Sequence, residues 1–128
     1  MSAEIEPKAT VAMVKAALLC ASKDTTVPAL CAVAIQVTAS GIRMAATDRY
    51  KLLVMERGSD TGWDDTLPIH LLARDEADDL VRFLGRELSH KAVMTVDDGM
   101  ITVISGVSKR AVSLPTLTHA QFPKVRQL

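Results

Sequence analysis

Three histidines, His70, His90 and His119, and two cysteines, Cys20 and Cys31, are the side chains here best suited to metal or nucleophile chemistry. Zinc sites recruit such residues at short spacings, as in HExxH or CxxC, because ligands on one turn converge on one point. These five are scattered, with no carboxylate at ligand spacing, so no metal centre is expected. GxSxG, Walker and GxGxxG strings are absent as well,. The expectation is a protein with no catalytic residue, metal or cofactor, and not an enzyme. Cys20 falls in a helix pattern and Cys31 in a strand pattern, so both thiols are expected reduced and buried.

The charged residues suggest surfaces. Asp75, Glu76, Asp78 and Asp79 open a predicted helix, where the dipole favours carboxylates, and Asp78 and Arg82 stand four apart; a solvated face is expected rather than a cation site. Lys8 and Lys15 are seven apart and share a helix side, Lys23 follows on a loop, and Arg74, Arg82 and Arg86 belong to the second helix region,. Two helices lying side by side could bring some of these into one positive surface; a scattered solvent face is the default reading, because the acidic cluster on the second helix dilutes the field. Fifteen basic residues cancel fifteen acidic ones, so any nucleic-acid contact must be local rather than driven by an overall field,. Aromatic residues make up only 3% of the chain, which argues against a stacking-type binder of single strands,.

Two strings stand out. In Ala46-Thr47-Asp48-Arg49-Tyr50-Lys51, the turn formers Thr47 and Asp48 precede an amphipathic pair and then Leu52; alone, this reads as a strand-to-strand corner,. The second, Gln121-Phe122-Pro123-Lys124-Val125-Arg126-Gln127-Leu128, is extended, basic and apolar,.

The elements that must position these residues follow from periodicity. Pro7 and Thr10 mark a helix entrance, with Val11, Val14, Leu18 and Ala21 at helical spacing to about Ser22. Pro28 ends the following polar loop. Strands are predicted over Leu30–Val37, Ile42–Ala46 and Lys51–Glu56; in the third, Leu52 and Val54 face one way and Leu53 and Met55 the other, so both faces are expected to be covered. Gly58–Gly62 reads as a surface loop within one domain. The order then restarts with a strand over Leu67–Leu71, a helix over Arg74–Leu84 ended by Gly85, and strands over Ala92–Val96, Met100–Ile104 and Lys109–Leu114. If Ile5 and its neighbours form a strand, each half is strand, helix, three strands: a duplicated unit. The predicted fold class is α+β, a single domain over 1–128 with two helices on one surface and antiparallel sheets on the other. No apolar run approaches the ~20 residues of a membrane span and no signal peptide is visible, so a cytoplasmic protein is expected.

The two strings, on this element order, resemble the bacterial replicative sliding clamp, the beta subunit of DNA polymerase III. Ala46–Leu52 looks like that family's ATD-(G/R)-(H/Y/F)-R-L string, Phe122–Leu128 like the FP-x-x-R segment closing its middle domain, and Thr26-Val27-Pro28-Ala29-Leu30 like the entrance to its first hairpin. The resemblance implies a DNA-clamp domain, six of which form a ring with helices lining a pore around duplex DNA and sheets making subunit contacts. It implies sequence-independent duplex DNA as a partner, DNA polymerase III and clamp-loader subunits docking through short linear motifs, and self-association or further clamp domains. Carried over, Leu30, Thr47, Arg49, Tyr50, Lys51 and Leu52 would line the peptide cleft, with its other wall supplied by a following domain. Lys8, Lys15, Lys23, Arg74, Arg82 and Arg86 would face DNA. The implied function is that of a replication processivity factor; a clamp-like interaction module, possibly of phage type, that binds a clamp or other replication partner is the alternative.

Overall fold

Pro7, whose missing N–H costs nothing at the first helical position, begins α1, Pro7–Cys20,. The computed structural model describes residues 1–24, 26–57, 63–88, 90–97, 99–106, 108–117 and 121–123. Before the helix runs β1, Ser2–Ile5; after it come a 3-10 turn over Pro28–Cys31, then β2, Ala32–Thr38, β3, Gly41–Thr47, and β4, Leu52–Arg57. The second half repeats the order as β5, His70–Ala73, α2, Arg74–Gly85, β6, Ala92–Asp97, β7, Met100–Ser105, and β8, Ala111–Pro115.

The duplicated order expected from periodicity is present, but the halves are not self-contained. Both sheets are four-stranded and antiparallel, ordered β4-β3-β2-β5 and β1-β6-β7-β8. The first strand of each half therefore joins the other half's sheet: Ala3 stands opposite Met94, and Leu72 opposite Val33. The helices pack against each other and cover the inner sheet faces. One apolar cluster joins all these layers, with Val14, Ala17, Ile35, Met44, Leu72, Leu80, Leu84, Met94 and Val103 fully buried. Each Val, Leu, Ile or Met so buried contributes roughly 1.5–3 kcal/mol.

The outer faces of the two sheets differ. On β6, β7 and β8, buried residues alternate with exposed or half-exposed ones, and Thr102 and Ser113 pair their hydroxyls at 3.2 Å across the outer surface. On β2 and β3, residues of both faces are buried. Their outer side lies under a second cluster in which Phe122, Trp63, Ile69 and Leu117 meet Ala32, Ala34 and Ala45. The Trp63 and Phe122 rings sit 5.9 Å apart at a tilt of 53°. Alanines on the strands leave room for these rings. Beside them the Gln36 amide serves as a peptide group for the crossing chain: its Nε2 donates to the Asp64 carbonyl and its Oε1 accepts the Asp64 N–H. Arg43, paired across from Gln36, donates to the same Oε1 at 3.4 Å.

Four expectations are corrected. Residues Pro28–Cys31 coil into a 3-10 turn, so the strand expected from Leu30 starts at Ala32. The strand expected over Leu67–Leu71 lies at His70–Ala73, because the preceding stretch packs across the outer face of β2 and β3. The buried stripe of α1 runs through Thr10, Met13, Val14, Ala17 and Cys20, rotated from the predicted one. Finally, β4 is an edge strand covered on one face: Leu53 and Met55 pack on the core, whereas Leu52 is 40% and Val54 37% exposed. The expected loop at Gly58–Gly62 and the stretch from Lys124 to Leu128 lie outside the described residues.

Candidate functional site: the corner between the third and fourth strands

Thr47 ends β3 directly opposite Leu52, the first residue of β4, leaving Asp48–Lys51 as a four-residue corner. Its own side chains fold it. The Thr47 hydroxyl donates to the Lys51 carbonyl at 2.5 Å and accepts the Arg49 N–H at 3.1 Å. Asp48 Oδ1 accepts the N–H groups of Tyr50 at 3.0 Å and Lys51 at 2.8 Å, the local bonding for which aspartate is favoured in turns,. These amides, that of Lys51 foremost, hold the Asp48 carboxyl below the usual carboxylate range,. Arg49 occupies the left-handed region at φ 82, a conformation that favours glycine,.

The end of α1 packs beside the corner. Cys20 Sγ donates to the Ala46 carbonyl at 3.4 Å, and burial raises its pKa, keeping it a thiol. After the helix, the Ser22 N–H donates to the Leu30 carbonyl at 2.7 Å, and Asp24 Oδ1 accepts both the N–H and the hydroxyl of Thr26. Those bonds lower the Asp24 pKa, with a smaller pull from the charge of Arg49. Arg74, the first residue of α2, donates from Nη2 to the carbonyls of Leu18, Ala21 and Ser22 at 3.1–3.4 Å. It supplies the cation that the last turn of α1 lacks,.

Between the loop and the corner lies an open depression of about 450 Å³ lined by Leu19, Ala21, Ser22, Lys23, Asp48, Tyr50 and Lys51. Tyr50 is 93% and Leu19 84% exposed, unusual values for large apolar side chains,. A more apolar hollow of about 230 Å³ lies at the start of α2, among Pro28, Cys31, Ala73, Arg74, Asp75 and Leu117.

Of the six residues assigned to a peptide cleft, five are consecutive or nearly so at this corner. Arg49, Tyr50, Lys51 and Leu52 are exposed, while Thr47 is buried and acts as a staple. Leu30 is 5% exposed within the 3-10 turn. Of the six basic residues, Lys8 and Lys15 are exposed on α1 and Lys23 on the loop after it. Arg82 is exposed and bonds Asp79 at 3.2 Å, Arg86 is exposed just past α2, and Arg74 is half-buried against the end of α1. Among the described residues no three His, Cys, Asp or Glu side chains gather as metal ligands, and no helix is long and apolar enough to cross a membrane.

No protein-family model matches the sequence, and no curated protein matches it. Solved structures do. The beta subunit of DNA polymerase III from Thermotoga maritima aligns over 99% of this chain with a TM-score of 0.81 at 16% identity. The sliding clamp of Pseudomonas aeruginosa bound to griselimycin aligns over 99% with a TM-score of 0.79 at 13% identity. The beta clamp of Helicobacter pylori bound to a DNA ligase peptide aligns over 97% with a TM-score of 0.73 at 12% identity.

The chain has the fold of a single sliding-clamp domain. It spans 33% of the length of each of these clamp chains. In this clamp domain, sequence reasoning overlooked Leu19 and the capping role of Arg74. Leu19 carries a signal, since it is a large apolar residue off the buried stripe of its helix. Arg74 carries none, because its partners are 52–56 residues away in the chain.

Proposed function

We propose that this clamp domain, residues 1–128 and most like the family's middle domain, acts without catalysis as part of a DNA replication processivity factor in the cytoplasm. The observation that carries the reading is the match of nearly the whole chain to one third of known sliding clamps, combined with a rigid corner that displays Arg49, Tyr50, Lys51 and Leu52. The domain contributes an arc of a ring around duplex DNA, with the two helices toward the phosphates, and docks linear motifs of polymerase III and clamp-loader subunits at the corner. Leu52 offers apolar floor, while the basic side chains and the main chain bond a peptide. A second wall comes from a neighbouring domain, so docking to this domain alone is weak. A fluorescent peptide of the Q-x-x-L-F type binds in the high-micromolar range, and Tyr50→Ala or Leu52→Ala weakens it several-fold. No binding at any practical concentration, with the variants indistinguishable, would overturn the cleft.

One observation favours a second reading, an interaction module that binds a clamp or other replication partner without encircling DNA. The two helices carry four basic and four acidic side chains, and one of the basic four, Arg74, is turned to the end of α1. A weakly charged helix surface attracts phosphates poorly. Light scattering separates the two: a stable oligomer of ring-closing stoichiometry supports the processivity role, and a persistent monomer that captures a clamp supports the module.

A further inference from the structure

The depression beside the corner joins Tyr50 and Lys51, which the cleft reading uses, to Leu19 and Lys23, which it does not. Leu19 from α1 and Tyr50 from the corner reach it from elements 31 residues apart in the chain and are both almost fully exposed. Lys23 and Lys51 line it beside them. Two carboxylates lie nearby, but Asp24 is bonded to Thr26, and Asp48 to the N–H groups of Tyr50 and Lys51, with the Lys51 ammonium at 3.6 Å. Among the described residues no ion pair to Lys23 is recorded.

We infer that this depression is a second anchor point for partner peptides, taking an apolar residue against Leu19 and Tyr50 and an adjacent acidic residue against Lys23 and Lys51. The inference rests on the peptide-docking reading of the same corner and adds to it a partner chemistry and two residues, Leu19 and Lys23. Charge complementarity selects the occupant. In the lining Lys23 and Lys51 meet Asp48, whose oxygens are bonded to the Tyr50 and Lys51 N–H groups and paired with the Lys51 ammonium, so a carboxylate approaching from solvent is drawn to Lys23,. The aliphatic floor of Leu19 and Ala21 suits an aliphatic or aromatic peptide side chain and gives no stacking platform for successive bases, since Tyr50 is the only ring among the described residues of the lining,. A single-stranded nucleic acid is for that reason the less suited occupant. Bonding within the corner and at the loop holds both walls in place, which lowers the ordering cost of binding,.

The test compares five peptides by fluorescence anisotropy on the whole chain: a Q-x-x-L-F peptide, and the same peptide extended at its N-terminal or its C-terminal end by Leu-Glu-Glu or by Leu-Gln-Gln. The acidic extension at one end binds about three- to tenfold tighter than its neutral twin at low ionic strength, and the advantage shrinks at high salt. Lys23→Ala abolishes the difference between the twins without changing the unextended peptide. Leu19→Ser weakens both extended peptides and spares the unextended one. Both positions are exposed, and circular dichroism checks that the variants fold. If the unextended peptide binds but the extensions add nothing, or their advantage survives both variants, the second anchor is overturned and the corner reading stands. If no peptide binds, both fall. A labelled oligothymidylate that binds and loses affinity on Leu19→Ser, with no acidic advantage among the peptides, overturns the inference in favour of nucleic acid.

Discussion

At the scale of single residues, Asp48 and Arg49 pull the corner in opposite directions. Asp48 holds the loop by accepting two main-chain N–H groups, and its pKa falls because those groups bond the charged form best. A depressed carboxyl contributes stability above the ordinary aspartate range and loses it as pH falls through the folded-state value. Asp48→Asn therefore flattens the acid limb of a stability profile between about pH 2 and 5, as chemical denaturation at several pH values would show. Arg49, by contrast, sits at φ 82 with a Cβ that crowds its own backbone. Arg49→Gly relieves a left-handed conformation costing about 1 kcal/mol, partly offset by the entropy of a freer unfolded chain, so the midpoint of urea unfolding rises or holds. A clear fall would show that the Arg49 side chain contributes more than its backbone costs. The turn chemistry of Thr47 and Asp48 was legible in the sequence because Asp and Thr bond their own neighbours. The place of Leu19 beside this corner was not, because neither local propensity nor spacing states which distant segment the end of a helix will lie against.

At the scale of elements, two contacts made far along the chain hold the site. Arg74 ties the start of α2 to the last carbonyls of α1. Arg74→Ala leaves those acceptors without their cation and lowers stability by about 2 kcal/mol, read from the denaturation midpoint, with faster hydrogen exchange at the α1 end than elsewhere. Phe122 and Trp63 seal the outside of β2 and β3. Phe122→Ala opens a cavity over the alanines of these strands at a cost of about 3 kcal/mol, and it should quench the tertiary near-ultraviolet signal of Trp63 while leaving helix content intact. The helix and strand order was readable from periodicity, since 3.6- and 2-residue repeats are local. The burial of β4 was misread for a related reason: Leu52, Leu53, Val54 and Met55 are all apolar, so alternation gave no indication of which face lies open.

At the scale of the whole molecule, the exchange of first strands makes the duplicated halves one cooperative unit. Each sheet is completed by a strand from the other half, and the apolar cluster spans both helices and both sheets. Calorimetry should record a single transition with matching van't Hoff and calorimetric enthalpies, and segments 1–66 and 67–128 made separately should each fail to fold. Two resolved transitions would contradict this. From local chemistry alone, the sequence determined the α+β class, the repeated order, the folded corner at Asp48–Lys51 and the lack of metal-ligand spacing, because caps, turns and periodicities involve residues within a few positions of one another. Tertiary structure alone decided which strands exchange, that Arg74 caps α1 instead of facing outward, and that Leu19, Lys23, Tyr50 and Lys51 share one depression. Each of these depends on burying apolar area between segments remote in the chain, and the free energy of that burial is a property of the assembled core rather than of any stretch within it.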